Sequence, residues 1–271
     1  MKNGAASYKT AEEHLEMLKK SVSLMLWHAF RWSQSHPEEP LEEILEKRVD
    51  IFRRTQFHPG EIFDFMYPEL SPEWQQLKKS LVRIASISNS AEEYEERAFE
   101  LVEPFLEGRV ERDLLDLHEG RIFANYKESC LYVSPKALEK NLEEADLHIA
   151  NSCYPNSFFD DPNYLSRSLF QLIERLEKLG VKKISANTWL NSFPPWLRYF
   201  PQVWRERRSP PRIDTEDHLG FWGQFLTARQ TFASAVADKM RKSGVIPYPM
   251  RHSWCTLTEL RDHLEKREEM K

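Results

Sequence analysis

The chain has 271 residues, 41% of them hydrophobic and 30% charged, a balance that fits a globular protein and excludes a disordered one. Its formal net charge of −5 gives no basic surface for a nucleic acid, and no apolar run approaches the roughly 20 residues needed to cross a bilayer. Three cysteines make no disulfide framework and the first twenty residues carry no apolar leader, so the expected setting is the cytoplasm, with a small-molecule substrate and neither nucleic acid nor membrane as partner.

Residues 1–117 read as helices throughout. Thr10 and Glu13 form a capping box, and Leu15, Leu18, Val22, Met25, Leu26 and Ala29 follow at helical spacing. Leu41, Ile44, Leu45, Val49 and Phe52 give a second apolar stripe. Ser71-Pro72 opens a third helix, with proline where its missing donor costs nothing, and Ser90 with Glu93 opens a fourth. Core burial accounts for these stripes, which makes the first half a scaffold. The competing reading is a binding bundle that uses Trp27, His28 and Trp32.

Gly120 marks a change of pattern. Residues 121–126 and 129–133 are short and rich in strand formers, and Tyr126 to Ser129 would close a hairpin between them. Ser134-Pro135 then caps a short helix that reaches about Glu144. A strand over 146–150 leads into the loop NSCYPNSFFDDP, and Asp161-Pro162 starts a helix with Leu165, Leu169, Leu172, Ile173, Leu176 and Leu179 on one face. Gly180 ends it, and a second strand covers 182–190. A strand–helix–strand unit of this kind pairs its strands in parallel through a right-handed crossover. Beyond it lie an aromatic and proline-rich stretch, an arginine-rich linker, a strand-like GFWGQF, a helix over 228–243 and a last helix capped by Thr256 and Glu259.

Parallel strands deliver their following loops to one edge of a sheet, which is where ligands bind in open α/β arrangements. The two loops here both begin N-S-x-x-P, at Asn151 and Asn191, and neighbouring strands would leave them within about 10 Å of each other. The plain reading is that Asn and Ser brace turns. Alternation along the second strand also puts Ser185, Asn187, Trp189 and Asn191 on one polar face, a donor–acceptor array suited to a ligand.

Candidate chemistry clusters nearby. His148 is a candidate general base, set against the ordinary reading of a half-buried strand histidine. Cys153 is a candidate nucleophile, and a small buried cysteine is the commoner outcome. His148, Cys153, His252 and Cys255 together suggest zinc, but H-x4-C and H-x2-C are not the usual ligand spacings, and no metal is expected. His218, Trp222 and Gln224 belong to a glycine-flanked segment that is either binding surface or core. Of the arginines at 198, 205, 207, 208 and 212, the linker ones read as solvated, whereas Arg198 sits among aromatics and is a candidate anion ligand.

In Gly120-Arg121-Ile122-Phe123, Asp146-Leu147-His148-Ile149, the helix entered through Ser168-Leu169 and Asn187-Thr188-Trp189-Leu190, the chain resembles bacterial acyltransferase-domain proteins. These join a helical N-terminal domain to a C-terminal domain of the N-acetyltransferase type, and the resemblance spans about residues 120–190. It implies an α+β fold, a helical domain over 1–117 and a GNAT-like domain over 118–271 with a small mixed sheet and flanking helices. It also implies acyl transfer from acyl-CoA to an amine or hydroxyl acceptor. His148 or His218 would take the proton, and Asn187, Trp189 and Asn191 would line the acceptor side. One departure stands out: the family's glycine-rich pyrophosphate loop falls on Asn151–Asn156, which holds no glycine. Two readings compete with acyl transfer: a binding protein that uses the same polar and aromatic cleft without catalysis, and a thiol or metal enzyme centred on Cys153.

Overall fold

The computed structural model describes residues 8–60, 71–126, 128–134, 138–139, 143–213 and 219–269. In chain order the helices are α1 (Ala11–Ser35), α2 (Leu41–Lys47), α3 (Ile51–Arg54), α4 (Pro72–Ala85), α5 (Ala91–Val102) and α6 (Glu107–His118). Strands β1 (Leu131–Val133) and β2 (Glu144–Ile149) come next, followed by α7 (Tyr164–Lys178) and β3 (Lys183–Thr188). Short helices α8 (Pro194–Leu197), α9 (Gln202–Glu206) and α10 (Leu219–Trp222) lead to α11 (Ser234–Ser243), β4 (Arg251–Thr256) and α12 (Leu257–Glu269). The fold is α+β: mostly helical, with one small mixed sheet. No described helix is long and apolar enough to cross a membrane.

The chain forms two compact units, and the division is not a single cut near residue 117. Residues 7–122 make a helical unit that takes back 214–244, while 123–213 and 245–271 make the α/β unit. In the helical unit the Thr10–Glu13 capping box opens α1 as expected, and Ser71 and Ser90 cap α4 and α5 through their hydroxyls. The apolar face of α1 carries more than apolar groups: His14, Ser21 and His28 are also buried along it. On α6, Arg109, Asp113 and Asp116 are buried. The stripes are therefore not purely a core pattern.

The segment GFWGQF is helical, not a strand. Phe221, Trp222 and Phe225 are all buried within the helical unit, and adjacent and i, i+4 apolar positions suit a helical turn better than alternation. The helix expected from 228 begins at Ser234, because residues 227–231 form a turn with Gln230 at φ 58°.

In the α/β unit the sheet runs β1-β2-β3-β4. β2 and β3 are parallel, as the crossover through α7 requires, and β1 and β4 pair antiparallel at the two edges. The expected hairpin is absent: residues 121–126 form 3-10 turns, and β1 pairs with β2 instead. β4 is a strand that the proline turn before it and the cap after it conceal in the sequence. The helix expected after Ser134 falls mostly on residues outside those described.

Leu131, Val133, Ala145, Leu147, Ile184, Ala186 and Cys255 lie on the face packed against α7 and α12, whose Leu165, Leu169, Leu172, Ile173, Leu176, Leu260 and Leu264 complete the core. Gly180, at φ +80°, ends α7 in the left-handed region that glycine adopts without strain. Thr256 and Glu259 cap α12 reciprocally, at 3.1 and 2.8 Å.

β3 stops at Thr188, and Trp189–Ser192 turn into a 3-10 helix. Asn191 is therefore not on a strand face; its side chain is fully buried. Its Nδ2 donates to the carbonyls of Ala186 and Arg251, both at 2.9 Å. Its Oδ1 accepts from the indoles of Trp196 (3.3 Å) and Trp204 (3.0 Å). The amide has two donors and two lone pairs, and all are used. Asn191→Ala would leave two indole N–H groups and two carbonyls without these bonds, at about 1–3 kcal/mol for a buried unsatisfied group. We expect a loss on the order of 4 kcal/mol in urea unfolding of the full chain; a loss below about 1 kcal/mol would show that the network is not structural.

Candidate functional site

The face of the sheet opposite α7 and α12 is polar. On β2 it carries Glu144, Asp146 and His148, which alternate with buried Ala145 and Leu147. Pairing places Tyr132 of β1 beside His148, Ser185 of β3 beside Asp146, and His252 and Trp254 of β4 beside Asn187 and Ser185. The end where β2 and β3 begin is closed. Glu144 pairs with Lys183 at 2.6 Å, and Trp254 lies under Arg207 (4.0 Å to the ring centroid), which itself grips Glu259 with two bonds of 2.8 and 2.9 Å.

The other end is open. Asp146 and His148 are each about half exposed, with Oδ2 and Nε2 4.0 Å apart. Burial pushes the Asp146 carboxyl up, against the pull of His148 and His252. Asn187 is exposed and His252 partly so. Ladder pairing between β2 and β3 covers Glu144–Asp146 and Lys183–Ser185 only. Beyond it, Leu147–Ile149 pair with β1 and Ala186–Thr188 with β4 on the outer edges, and the ladder between the two parallel strands stops short of their carboxyl ends.

The loops that follow β2 and β3 do meet at this edge. Phe159 of the first stands 5.8 Å from Phe193 of the second, edge-on, and Phe193 packs on Tyr248 at 5.3 Å. Trp189 completes this aromatic wall, 5.8 Å from Phe193 and 5.9 Å from Tyr248. It remains partly exposed and, with Phe159 and Phe193, packs against the edge of the hydrophobic core.

The asparagines that begin the two loops are braces. Asn151 donates to the carbonyl of Asn156 at 2.8 Å and accepts from the amide of Phe158 at 3.2 Å, and Asn191 is spent in the core. Of the linker arginines, Arg205 and Arg212 are exposed, as expected, whereas Arg207 and Arg208 are partly buried; Arg205 also donates to the carbonyl of Leu197 and Arg208 to that of Asn191. Arg198 is exposed. Trp222 and Gln224 are buried in the helical unit, where Trp222 packs edge-on against His28 at 5.7 Å and Gln224 donates to the carbonyl of Phe221. His218 lies outside the described residues.

The zinc quartet is not assembled. His148 and His252 are on the polar face, whereas Cys255 is buried on the opposite one, with its thiol pushed up to about 12 by burial. Among the described residues, no three histidine, cysteine or acidic side chains converge on a metal position. Burial also raises the Cys153 thiol, which opposes the thiolate that a nucleophile needs. Asp146, Tyr132 and Tyr248 are the neighbours that the linear reading did not gather, and His252 entered it only as a zinc candidate. The alternation of His252, Trp254 and Thr256 against Ser253 and Cys255 was the available signal for β4.

Comparison with family models, with curated proteins and with solved structures finds no match. The chemistry of the site rests on its own geometry. A raised thiol pKa predicts that Cys153 in the folded protein reacts with iodoacetamide at neutral pH more slowly than a free cysteine peptide, and that Cys153→Ser melts within about 1 kcal/mol of the parent. Faster alkylation than the peptide would restore the nucleophile.

Proposed function

We propose that the α/β unit transfers an acyl group from a pantetheine thioester to an amine, at the open end of its polar sheet face. The observation that carries this reading is the end of the β2–β3 ladder beside Asp146 and His148. A pantetheine arm is a chain of amides. Main-chain N–H and C=O groups beyond the end of a ladder are natural partners for such a chain, in the way an added strand is recognised.

Each group then has a distinct task. His148 takes the proton of the acceptor amine as its nitrogen attacks the thioester carbonyl, and Asp146 orients the imidazole and stabilises its charged form. The C–N bond forms, the C–S bond breaks, and the proton passes from the imidazole to the departing thiolate. Tyr132, Asn187 and His252 surround the acceptor, and the Trp189–Phe193–Tyr248 wall keeps water from the edge.

The residues present do not fit the pyrophosphate of coenzyme A at the first loop. The amide of Ser157 donates to Asp160 and that of Asn163 to Asp161, so carboxylates already occupy the approach to α7. The donor is therefore held by its pantetheine arm.

Thiol release from acetyl-CoA or acetyl-pantetheine in the presence of a panel of amines tests the proposal. His148→Gln should lower turnover by roughly a hundredfold or more with the melting temperature unchanged, and Asp146→Asn should lower it less. If no amine elicits thiol release, or if His148→Gln is as active as the parent, the proposal fails.

A further inference from the structure

Within the helical unit, the buried stripe of α1 includes an imidazole set among indoles. His28 is 8% exposed, with Trp32 of its own helix 5.8 Å away and Trp222 of α10 edge-on at 5.7 Å. Among the described residues its ring nitrogens have no hydrogen-bond partner. The charges that act on it, Arg31 and His36 of α1 and the turn beyond, are of cationic groups, and α10 brings no ionisable side chain. An imidazolium formed here meets no counter-charge. Burial first, and those two neighbours after it, hold the imidazole down to about 4.

The two indoles are not held alike. Nε1 of Trp32 donates to Glu39 at 2.8 Å, and the guanidinium of Arg48 covers its ring at 5.3 Å. Trp222 is buried, but its Nε1 has no partner, and it packs on Phe221 and Phe225 at 5.3 and 5.4 Å. Its helix has four residues and a three-residue 3-10 turn follows, lengths that do not persist without tertiary packing. Past that turn the chain is fastened. Leu226 and Phe232 pack against Met17, Leu18 and Val110. Arg229 reaches both oxygens of Glu13 on α1, at 3.0 and 2.9 Å, and Arg241 grips Glu95 on α5 with two bonds of 2.7 Å.

We infer that His28 is an acid-operated latch: protonation of its imidazole releases Trp222, and with it Leu219–Phe225, from α1. The neutral ring packs against the indole, whereas a charged ring must reach water, and the weakly held indole is the side that yields. The direction follows from linkage. The closed form binds the proton less well than the open one, so its advantage is complete above about pH 7 and is lost as the pH falls from about 6.5 towards 4. Release uncovers Phe221, Trp222 and Phe225 in the segment by which the chain returns to the helical unit. This device lies apart from the sheet face and does not rest on the acyl-transfer reading.

Amide hydrogen exchange of the full chain at pH 5 and pH 8, corrected for the intrinsic effect of pH on exchange, tests the latch. His28→Phe and the neutral, polar His28→Gln are run alongside. An imidazole at about 4 when closed and about 6.5 when open lowers protection over residues 219–226 about thirtyfold between pH 8 and pH 5 in the parent. Either variant should keep that fall within about threefold. Titration of the His28 ring in the parent by NMR needs no variant, and a midpoint below about 5.5 is expected. The inference is overturned by a midpoint at or above that value or by protection that does not fall in the parent. It is equally overturned by a fall of the same size in the variants, or one shared equally by α4 and α5, which would be global unfolding.

Discussion

A single carboxamide sets the geometry of the α/β unit. Asn191 joins the end of β3 to the start of β4 through two carbonyls, and gathers the indoles of α8 and α9 on its oxygen. Its orientation is fixed by its partners, because rotating the amide by a half-turn would set two N–H groups against its NH2 and two carbonyls against its oxygen. Its own main-chain carbonyl receives Arg208 at 3.0 Å, so the linker is drawn to the same point. No apolar side chain of similar size offers bonds in four directions at once, and this constraint turns the chain after Thr188 out of the strand.

That turn has a consequence for the sheet. Once β3 ends in a 3-10 helix, Trp189 and Phe193 leave the pleat and meet Tyr248, and Phe193 also meets Phe159 of the preceding loop. The carboxyl halves of β2 and β3 are thus flanked by aromatic area, with the polar residues of the open face beside them. The two faces divide the work. One is filled by the leucines of α7 and α12 and provides stability; the other holds Asp146, His148, Asn187 and His252 in or near water, where charge is cheap to keep.

Strong local periodicity was legible in the sequence. The capping boxes of α1 and α12, the leucine face of α7, its glycine stop and the parallel crossover are all local or follow from a topological rule. Short segments were not, since RIFANY and GFWGQF are rich in strand formers yet fold as helical turns; in GFWGQF the burial of Phe221, Trp222 and Phe225 outweighs propensity. β4 was hidden because its alternation begins directly after a proline turn. Asn191 was read as a ligand residue because strand alternation was carried three positions too far, past the true end at Thr188. The buried charges of α6 were missed for a related reason: Arg109 and Asp113 look like a surface i, i+4 pair, and only the packing of His14 and His58 around them shows that they are interior.

The account depends most on the end of the β2–β3 ladder as the seat of the thioester arm. Amide hydrogen exchange of the full chain, with and without acetyl-pantetheine, reads those backbone groups one by one. Slower exchange confined to Leu147, Ile149 and Asn187, whose amides alternate away from β1 and β4, is the predicted result. Unchanged exchange there, or protection that appears only in the helical unit, would contradict it.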